Sequence, residues 1–90
     1  MSDDFRWNEW NVDHIGDHGI LPGEAEDLVD RASRPYPEQI GDGKWLVRGQ
    51  TPGGRYLQVI FVFDPDGTIF VLHARDLTER EKRQLRRRLR

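Results

Sequence analysis

The longest apolar stretches of the chain flank a short polar turn in its second half. Residues 59–63 are all apolar, the sequence Asp-Pro-Asp-Gly follows at 64–67, and 69–72 are again apolar. β-Branched and aromatic residues of this kind suit a pleated, largely buried strand. Pro65 presets a turn φ, and Gly67 accepts the positive φ that often ends a turn. The pattern predicts a β-hairpin onto which the rest of the chain packs.

A third strand is predicted before this hairpin. Lys44–Gln50 (KWLVRGQ) has strand character, and the Thr-Pro-Gly-Gly sequence at 51–54 turns it back into the hairpin. The result is a three-stranded antiparallel meander. Ser33–Gly43 contains two prolines and two glycines and is predicted to be a loop. Phe5–Trp7 alternates apolar and polar residues and is a candidate for an extra edge strand at the N-terminal end.

Three helices are predicted around the meander. The first covers Asn8–Asp17 and starts at an asparagine N-cap, and the second covers Pro22–Arg31, with apolar residues at helical spacing. The third begins at Thr78, which forms the spacing of a capping box with Glu81. The predicted fold class is α+β: one small domain, 1–90, with two N-terminal helices and one C-terminal helix packed on the sheet.

Composition excludes several kinds of chemistry. The 90 residues include no cysteine, which rules out a disulfide, a thiolate metal site and a cysteine nucleophile. The start of the chain lacks the basic and apolar segments of a signal peptide. No apolar run approaches the roughly 20 residues that span a bilayer. We therefore expect a cytoplasmic protein without a membrane partner.

Charge is distributed unevenly along the chain, although the net charge is only -2. Residues 1–30 carry nine acidic side chains against one arginine, whereas 75–90 carry eight basic side chains against three acidic ones. Such polarity indicates either an anionic partner at the C-terminal end or internal pairing of the two ends.

Four segments carry a resemblance to a known family. They are FRWNEWNVDHIGDHGI, PGEAEDLVD, WLVRGQTPGGRYLQVIF and HARDLTEREKRQLRRRL. In their order and spacing, over nearly the whole chain, they resemble the BrnT-type ribonuclease toxins of bacterial type II toxin–antitoxin systems. The resemblance implies a compact α+β fold related to RelE-like toxins and metal-independent endoribonuclease activity. It also implies a cognate ribbon-helix-helix antitoxin as partner, in a homodimer or a heterotetramer with the antitoxin.

Cleaving RNA without a metal or other cofactor needs a base for the 2′-OH, a cation for the phosphate and an acid for the 5′-oxygen. Strand alternation puts His73 and Arg75 on one face, and Arg55 starts the neighbouring strand. His73 is a candidate acid or base because imidazole titrates near neutrality. Glu81 is a second candidate base. The predicted catalytic residues are thus Arg55, His73, Arg75 and Glu81.

Basic residues on the sheet and the last helix are candidates for RNA contact: Lys44, Arg48, Arg83 and Arg87. On the sheet, Lys44 and Arg48 are expected to join Arg55 and Arg75 in a cationic cluster. His14 and His18, at i, i+4, have the spacing of two metal ligands, but a structural role is favoured because the sequence offers no third ligand.

A non-catalytic interaction or nucleic-acid-binding module of the same fold remains the alternative. It is favoured by Leu85, which stands where the last helix of the family often has a tyrosine. Each candidate also has a purely structural interpretation, as an ion pair, a cap or a solvated strand residue.

Overall fold

A computed structural model describes residues 4–89 of the chain. In chain order its elements are α1 (Glu9–Gly16), α2 (Pro22–Asp30), β1 (Glu38–Gly41), β2 (Lys44–Gln50), β3 (Tyr56–Phe63), β4 (Ile69–Asp76) and α3 (Glu79–Arg88). The strands form one antiparallel sheet in the order β1-β2-β3-β4. The α+β class, the three helices and the three strands of the meander are as predicted. None of the helices in this described range combines the length and apolar character that crossing a bilayer requires.

The sheet has a strand that the sequence analysis assigned to a loop. β1 lies inside Ser33–Gly43, so the loop prediction was wrong for Glu38–Gly41. None of the strand's residues is buried, and hydrophobic alternation therefore gives no sign of it. The turn provides the sign: Asp42 and Gly43 have φ of 53° and 71°. Two successive positive φ values are typical of a two-residue hairpin turn, for which Asp-Gly is a favoured sequence.

The predicted N-terminal edge strand is reduced to a single bridge. Phe5 pairs in parallel with Ile69 of β4. The Arg6 N–H donates to the Ile69 carbonyl at 2.8 Å, and the Ile69 N–H donates to the Asp4 carbonyl at 2.9 Å. The segment is thus tied to the edge of β4, but it is too short to extend the ladder.

A β-bulge interrupts the pairing of β3 with β4. Ile60 lies opposite His73, whereas the next residue of β3, Phe61, lies opposite Val71. Leu72 is therefore an extra residue on β4. A bulge of this kind leaves one residue unpaired and shifts the alternation of side chains by one position.

This shift decides where the polar residues of β4 lie. In a strictly alternating strand, Ile69, Val71, His73 and Arg75 would all lie on one face. With Leu72 added, Ile69 and Val71 lie on the core face together with Ala74, while His73 and Arg75 lie on the opposite face. The bulge thus keeps an imidazole and a guanidinium out of the core.

The core face carries the apolar side chains of the sheet. Its members, all at most 1% exposed, are Val47, Leu57, Val59, Phe61, Ile69, Val71 and Ala74. α1 packs along β4, and α2 packs on β2 and β3. Ile15 of α1 and Leu28 of α2 complete the core. A Cβ on Gly49 would lie 3.3 Å from Leu28 Cδ1, so α2 approaches β2 closely at that glycine.

The opposite face, here called the outer face, carries a mixed set of side chains. By register its members include Lys44, Leu46, Arg48, Gln58, Ile60, Val62, Phe70, His73 and Arg75. Most of them are only partly buried. α3 contacts one end of this face through its first turn, and its Leu85 is 2% exposed and part of the core cluster.

Both predicted helix N-caps are confirmed. The Asn8 side chain accepts from the Asn11 N–H at 3.1 Å, and the Thr78 hydroxyl accepts from the Glu81 N–H at 3.2 Å. Asn11 is fully buried. Its amide donates to the Arg6 carbonyl at 3.1 Å, so the N-terminal segment is fixed against the first turn of α1.

Two phenylalanines of β3 provide a matched test of the face assignment. Phe61 is 1% exposed and Phe63 is 49% exposed. We expect Phe61→Ala to lower the free energy of unfolding by about 3–5 kcal/mol, because it leaves a cavity in the core. Phe63→Ala should cost less than half as much. Urea denaturation of both variants measures the difference, and equal losses would contradict the assignment.

Candidate active site

A row of three polar side chains crosses β2, β3 and β4 on the outer face. Arg48 lies opposite Gln58, and Gln58 lies opposite Arg75. The Gln58 Oε1 atom accepts from Arg48 Nε at 2.9 Å and from Arg75 Nη2 at 3.3 Å. Gln58 is only 6% exposed. One buried amide oxygen therefore links two guanidinium groups that come from different strands.

Glu81 binds both arginines from the first turn of α3. Its Oε2 accepts from Arg48 Nη2 at 3.0 Å and from Arg75 Nη2 at 2.8 Å, and its Oε1 accepts from Arg75 Nη1 at 2.7 Å. Oε1 also accepts from the Thr78 N–H at 2.9 Å. The two arginines and one carboxylate leave the group with a net charge of +1.

These contacts change the chemistry expected of Glu81. Hydrogen bonds from Arg75 and then from the Thr78 backbone lower the pKa of its carboxyl group from 4.5 to about 2. A carboxylate with such a low pKa is poorly suited to remove a proton from a hydroxyl group near neutral pH. The geometry supports a positioning role for Glu81 instead of the predicted role as a base.

The three histidines of the chain lie together beside β4. The His73 ring centroid is 5.5 Å from that of His18 and 6.3 Å from that of His14, both in edge-to-face contact. His14 is on α1 and His18 is in the turn that follows, so their i, i+4 spacing points both rings toward β4. Across residues 4–89, no group of three or more His, Asp or Glu side chains is arranged to hold a metal ion.

His73 is partly buried, whereas His14 and His18 are exposed. Burial lowers the pKa of its imidazole below the ordinary 6.5, and the charges of His18, Arg75 and His14 lower it further. The shift favours the neutral form of the ring near pH 7. A neutral imidazole next to a guanidinium can accept a proton, which is the property that a general base needs.

Arg55 lies apart from the row, although the sequence analysis grouped it with Arg48 and Arg75. It donates to both Asp76 carboxylate oxygens, at 2.8 and 3.1 Å, and to Glu24 at 3.3 Å. It also donates to the Gly19 carbonyl at 2.9 Å. The carboxylates on β4 and α2 hold Arg55 at the α1–α2 turn, so it fixes the segment that carries His18.

The remaining predicted RNA-contacting residues are exposed. Lys44 lies opposite Val62, two positions along the outer face from Leu46. Arg83 and Arg87 lie one turn apart on α3. In the part of the chain that the structure describes, none of these three basic residues forms an ion pair, and no ion pair joins 4–30 to 75–89. The predicted internal pairing of the two ends is thus not found there.

Sequence reasoning missed two features of this site. Gln58 received no role, although it is a polar residue within an apolar run, and that interruption is the signal that could have identified it. The sequence favours a structural role for His14 and His18 and gives no sign of their approach to His73, which depends on how α1 packs along β4. No local pattern in the sequence indicates that packing.

Replacing Glu81 by glutamine tests its ionic role. The glutamine keeps an acceptor for the Thr78 N–H but loses the charge that binds the arginines. Because the pKa of Glu81 is lowered on folding, its stabilisation is present above pH 4.5 and is lost as the pH falls toward about 2. We expect wild type to exceed Glu81→Gln in free energy of unfolding at pH 6, and the difference to shrink between pH 4.5 and 2.

Glu79→Gln is the control for that experiment. Glu79 is in the same helical turn, its side chain is 76% exposed, and it pairs only with Lys82 among the described residues. Exposed pairs contribute little to stability, so this variant should stay close to wild type over the whole pH range. A Glu81→Gln variant with the same profile as Glu79→Gln would remove Glu81 from the support of this site.

Comparison with known proteins adds no assignment to this geometry. The chain matches no protein-family model, no curated protein and no solved structure. The resemblance to BrnT-type toxins therefore stays a prediction from the sequence. The functional argument depends on the histidine cluster, the arginine row and the exposed basic residues.

Proposed function

We propose that this chain is a metal-independent endoribonuclease toxin of the BrnT type that acts in the cytoplasm. One observation carries the proposal: the rings of His73 and His18 lie 5.5 Å apart, centroid to centroid, and Arg75, on the same face of β4 as His73, is near enough for its charge to lower the pKa of His73. Two imidazoles and a guanidinium supply the base, the acid and the cation that cleavage of a ribose phosphodiester requires.

The proposed reaction is an internal transfer at phosphorus. Neutral His73 takes the proton of the 2′-OH, and the 2′-oxygen attacks the adjacent phosphorus. The bond from phosphorus to the 5′-oxygen breaks, and His18, as the general acid, gives a proton to that oxygen. The products are a 2′,3′-cyclic phosphate and a free 5′-hydroxyl group, so protons and electron pairs balance without a cofactor.

The arginine row supplies the positive field. Arg75 and Arg48 keep a net positive charge after pairing with Glu81, and both are held by Gln58. Guanidinium groups fixed before the reaction stabilise developing phosphate charge without reorganising. Arg55 belongs to this proposal as a positioning residue, because it binds the carbonyls of Gly19 and His18.

A ribbon-helix-helix antitoxin is the proposed partner, and it would neutralise the activity by binding the toxin. The alternative function is binding of RNA or of a partner without turnover. Two hydrogen bonds that Arg75 donates to Glu81 favour this alternative, because a guanidinium bound in this way has fewer free donors for phosphate.

Replacing His73 tests the catalytic proposal. Purified wild type should cleave single-stranded RNA with a chelator present, and His73→Gln should lower the rate about 100-fold or more, because a general base contributes 10²–10⁴-fold. As burial lowers the pKa of His73, the acidic limb of the wild-type pH–rate profile should lie below pH 6.5. Gel analysis of end-labelled RNA measures both quantities.

Arg80→Ala is the control, because Arg80 is exposed on α3 and has no place in the proposed site. It should cleave at the wild-type rate. RNA that remains intact with folded wild type would overturn the ribonuclease proposal and favour the binding module. Cleavage at full rate by His73→Gln would remove His73 from the reaction.

Arg83 and Arg87 are tested by the salt dependence of RNA binding. Each phosphate neutralised on a single strand contributes about 0.7 to the slope of log K against log salt. If both residues contact phosphate, Arg83→Gln/Arg87→Gln should bind a non-cleavable RNA more weakly and with a slope smaller by about 1.4. An unchanged slope in fluorescence anisotropy titrations would place the RNA elsewhere.

A further inference from the structure

A row of near-parallel aromatic rings leads to the histidine cluster. The Trp10 ring centroid lies 5.9 Å from that of Phe70, with 18° between the planes, and 4.9 Å from that of His14, with 9° between the planes. His14 in turn contacts His73 edge-on. At the other end, the Arg6 guanidinium lies 4.2 Å from the Phe70 ring centroid. The rings thus form a continuous path from the N-terminal segment to His73.

Trp10 and His14 are exposed members of this row, and Trp10 is the larger of the two rings. Trp10 is 53% exposed, whereas Trp7 and Trp45 are partly buried against the core. The Trp7 indole N–H also donates to Glu26 at 2.7 Å. A large aromatic residue left half in water gives up much of the stabilisation that burial provides. The exposed part of this indole is therefore available to a ligand.

We propose that Trp10, supported by Phe70 and His14, is a stacking subsite for an unpaired nucleobase of single-stranded RNA. The inference rests on the proposed ribonuclease function and names how its substrate is held. Flat aromatic side chains bind the π-face of any base, so the subsite would favour unpaired nucleotides without selecting their sequence. A base stacked there would place its nucleotide beside His14 and His73.

Charge near the subsite indicates where the RNA backbone would run. Glu9, Asp13 and Asp17 are exposed and repeat at i, i+4, i+8 on the α1 side, one position away from Trp10 and His14. Carboxylates repel phosphate, whereas the outer face of the sheet carries the arginine row. The base would therefore lie on the part of the indole that Phe70 and His14 leave exposed, and the phosphates would lie on the sheet side of it.

Binding of a non-cleavable 2′-O-methyl oligonucleotide tests the subsite separately from catalysis. Base stacking on an aromatic side chain corresponds to about a 5- to 150-fold change in affinity, and we expect a loss in this range for Trp10→Leu in anisotropy titrations. Trp10→Phe keeps a ring and should bind nearly as tightly as wild type. The control is Phe63→Leu, since Phe63 is a similarly exposed aromatic residue on the core-face side of β3.

Indole fluorescence provides a second readout. A stacked base quenches the emission of Trp10, so the oligonucleotide should quench wild type more than Trp10→Phe. An oligonucleotide with abasic positions should bind wild type more weakly than the intact one, and Trp10→Leu should bind the two with nearly equal affinity. If the effect of the missing bases depends on Trp10 in this way, the loss of affinity comes from base stacking and not from lost positive charge or from unfolding.

The outcomes separate this inference from the proposed function. Wild-type affinity in folded Trp10→Leu, or no binding by wild type, would overturn the subsite. Tight, Trp10-dependent binding by a wild type that leaves RNA intact would support the subsite and overturn the ribonuclease. Cleavage by wild type together with unchanged binding by Trp10→Leu would support the ribonuclease and overturn the subsite.

Discussion

The carboxylate of Glu81 is the interaction on which the arrangement of the outer face depends. It receives hydrogen bonds from Arg48, from both terminal nitrogens of Arg75 and from the Thr78 backbone. A single side chain therefore caps α3, attaches that helix to the sheet and fixes the direction of two guanidinium groups. α3 has few apolar residues, and Leu85 is the one helix residue that is buried. The ion pairs of Glu81 thus help to hold α3 against the sheet, whereas apolar packing holds α1 and α2 there.

Much of the fold follows from local sequence patterns. The apolar runs around 64–67 and the helical spacing in α2 predict elements that the structure contains, and the caps at Asn8 and Thr78 are formed as the spacing indicates. These features depend on near neighbours in the chain. β1 escaped prediction because its stability comes from the Asp-Gly turn and its pairing with β2, and no apolar alternation marks it.

The site was less predictable than the fold, for a physical reason. Arg48 and Arg75 come together as expected because antiparallel register follows from the turns. Arg55 goes elsewhere because carboxylates more than 20 residues away in the chain, Asp76 and Glu24, compete for it. Ion pairing between distant segments depends on tertiary geometry that composition and spacing do not reveal. The same is true of the approach of His14 and His18 to His73.

The extra residue in β4 has a consequence for how sequences of this kind are compared. Before Leu72 the odd-numbered residues of β4 face the core, and after it the even-numbered residues do. The site therefore depends on there being one residue between Val71 and His73, more than on the identity of that residue. Loss of that one residue would turn either the imidazole and guanidinium or the apolar half of the strand to the wrong side. A one-residue gap placed here in an alignment would therefore not be a neutral difference in loop length. It would separate chains that can place these side chains on the outer face from chains that share only the fold.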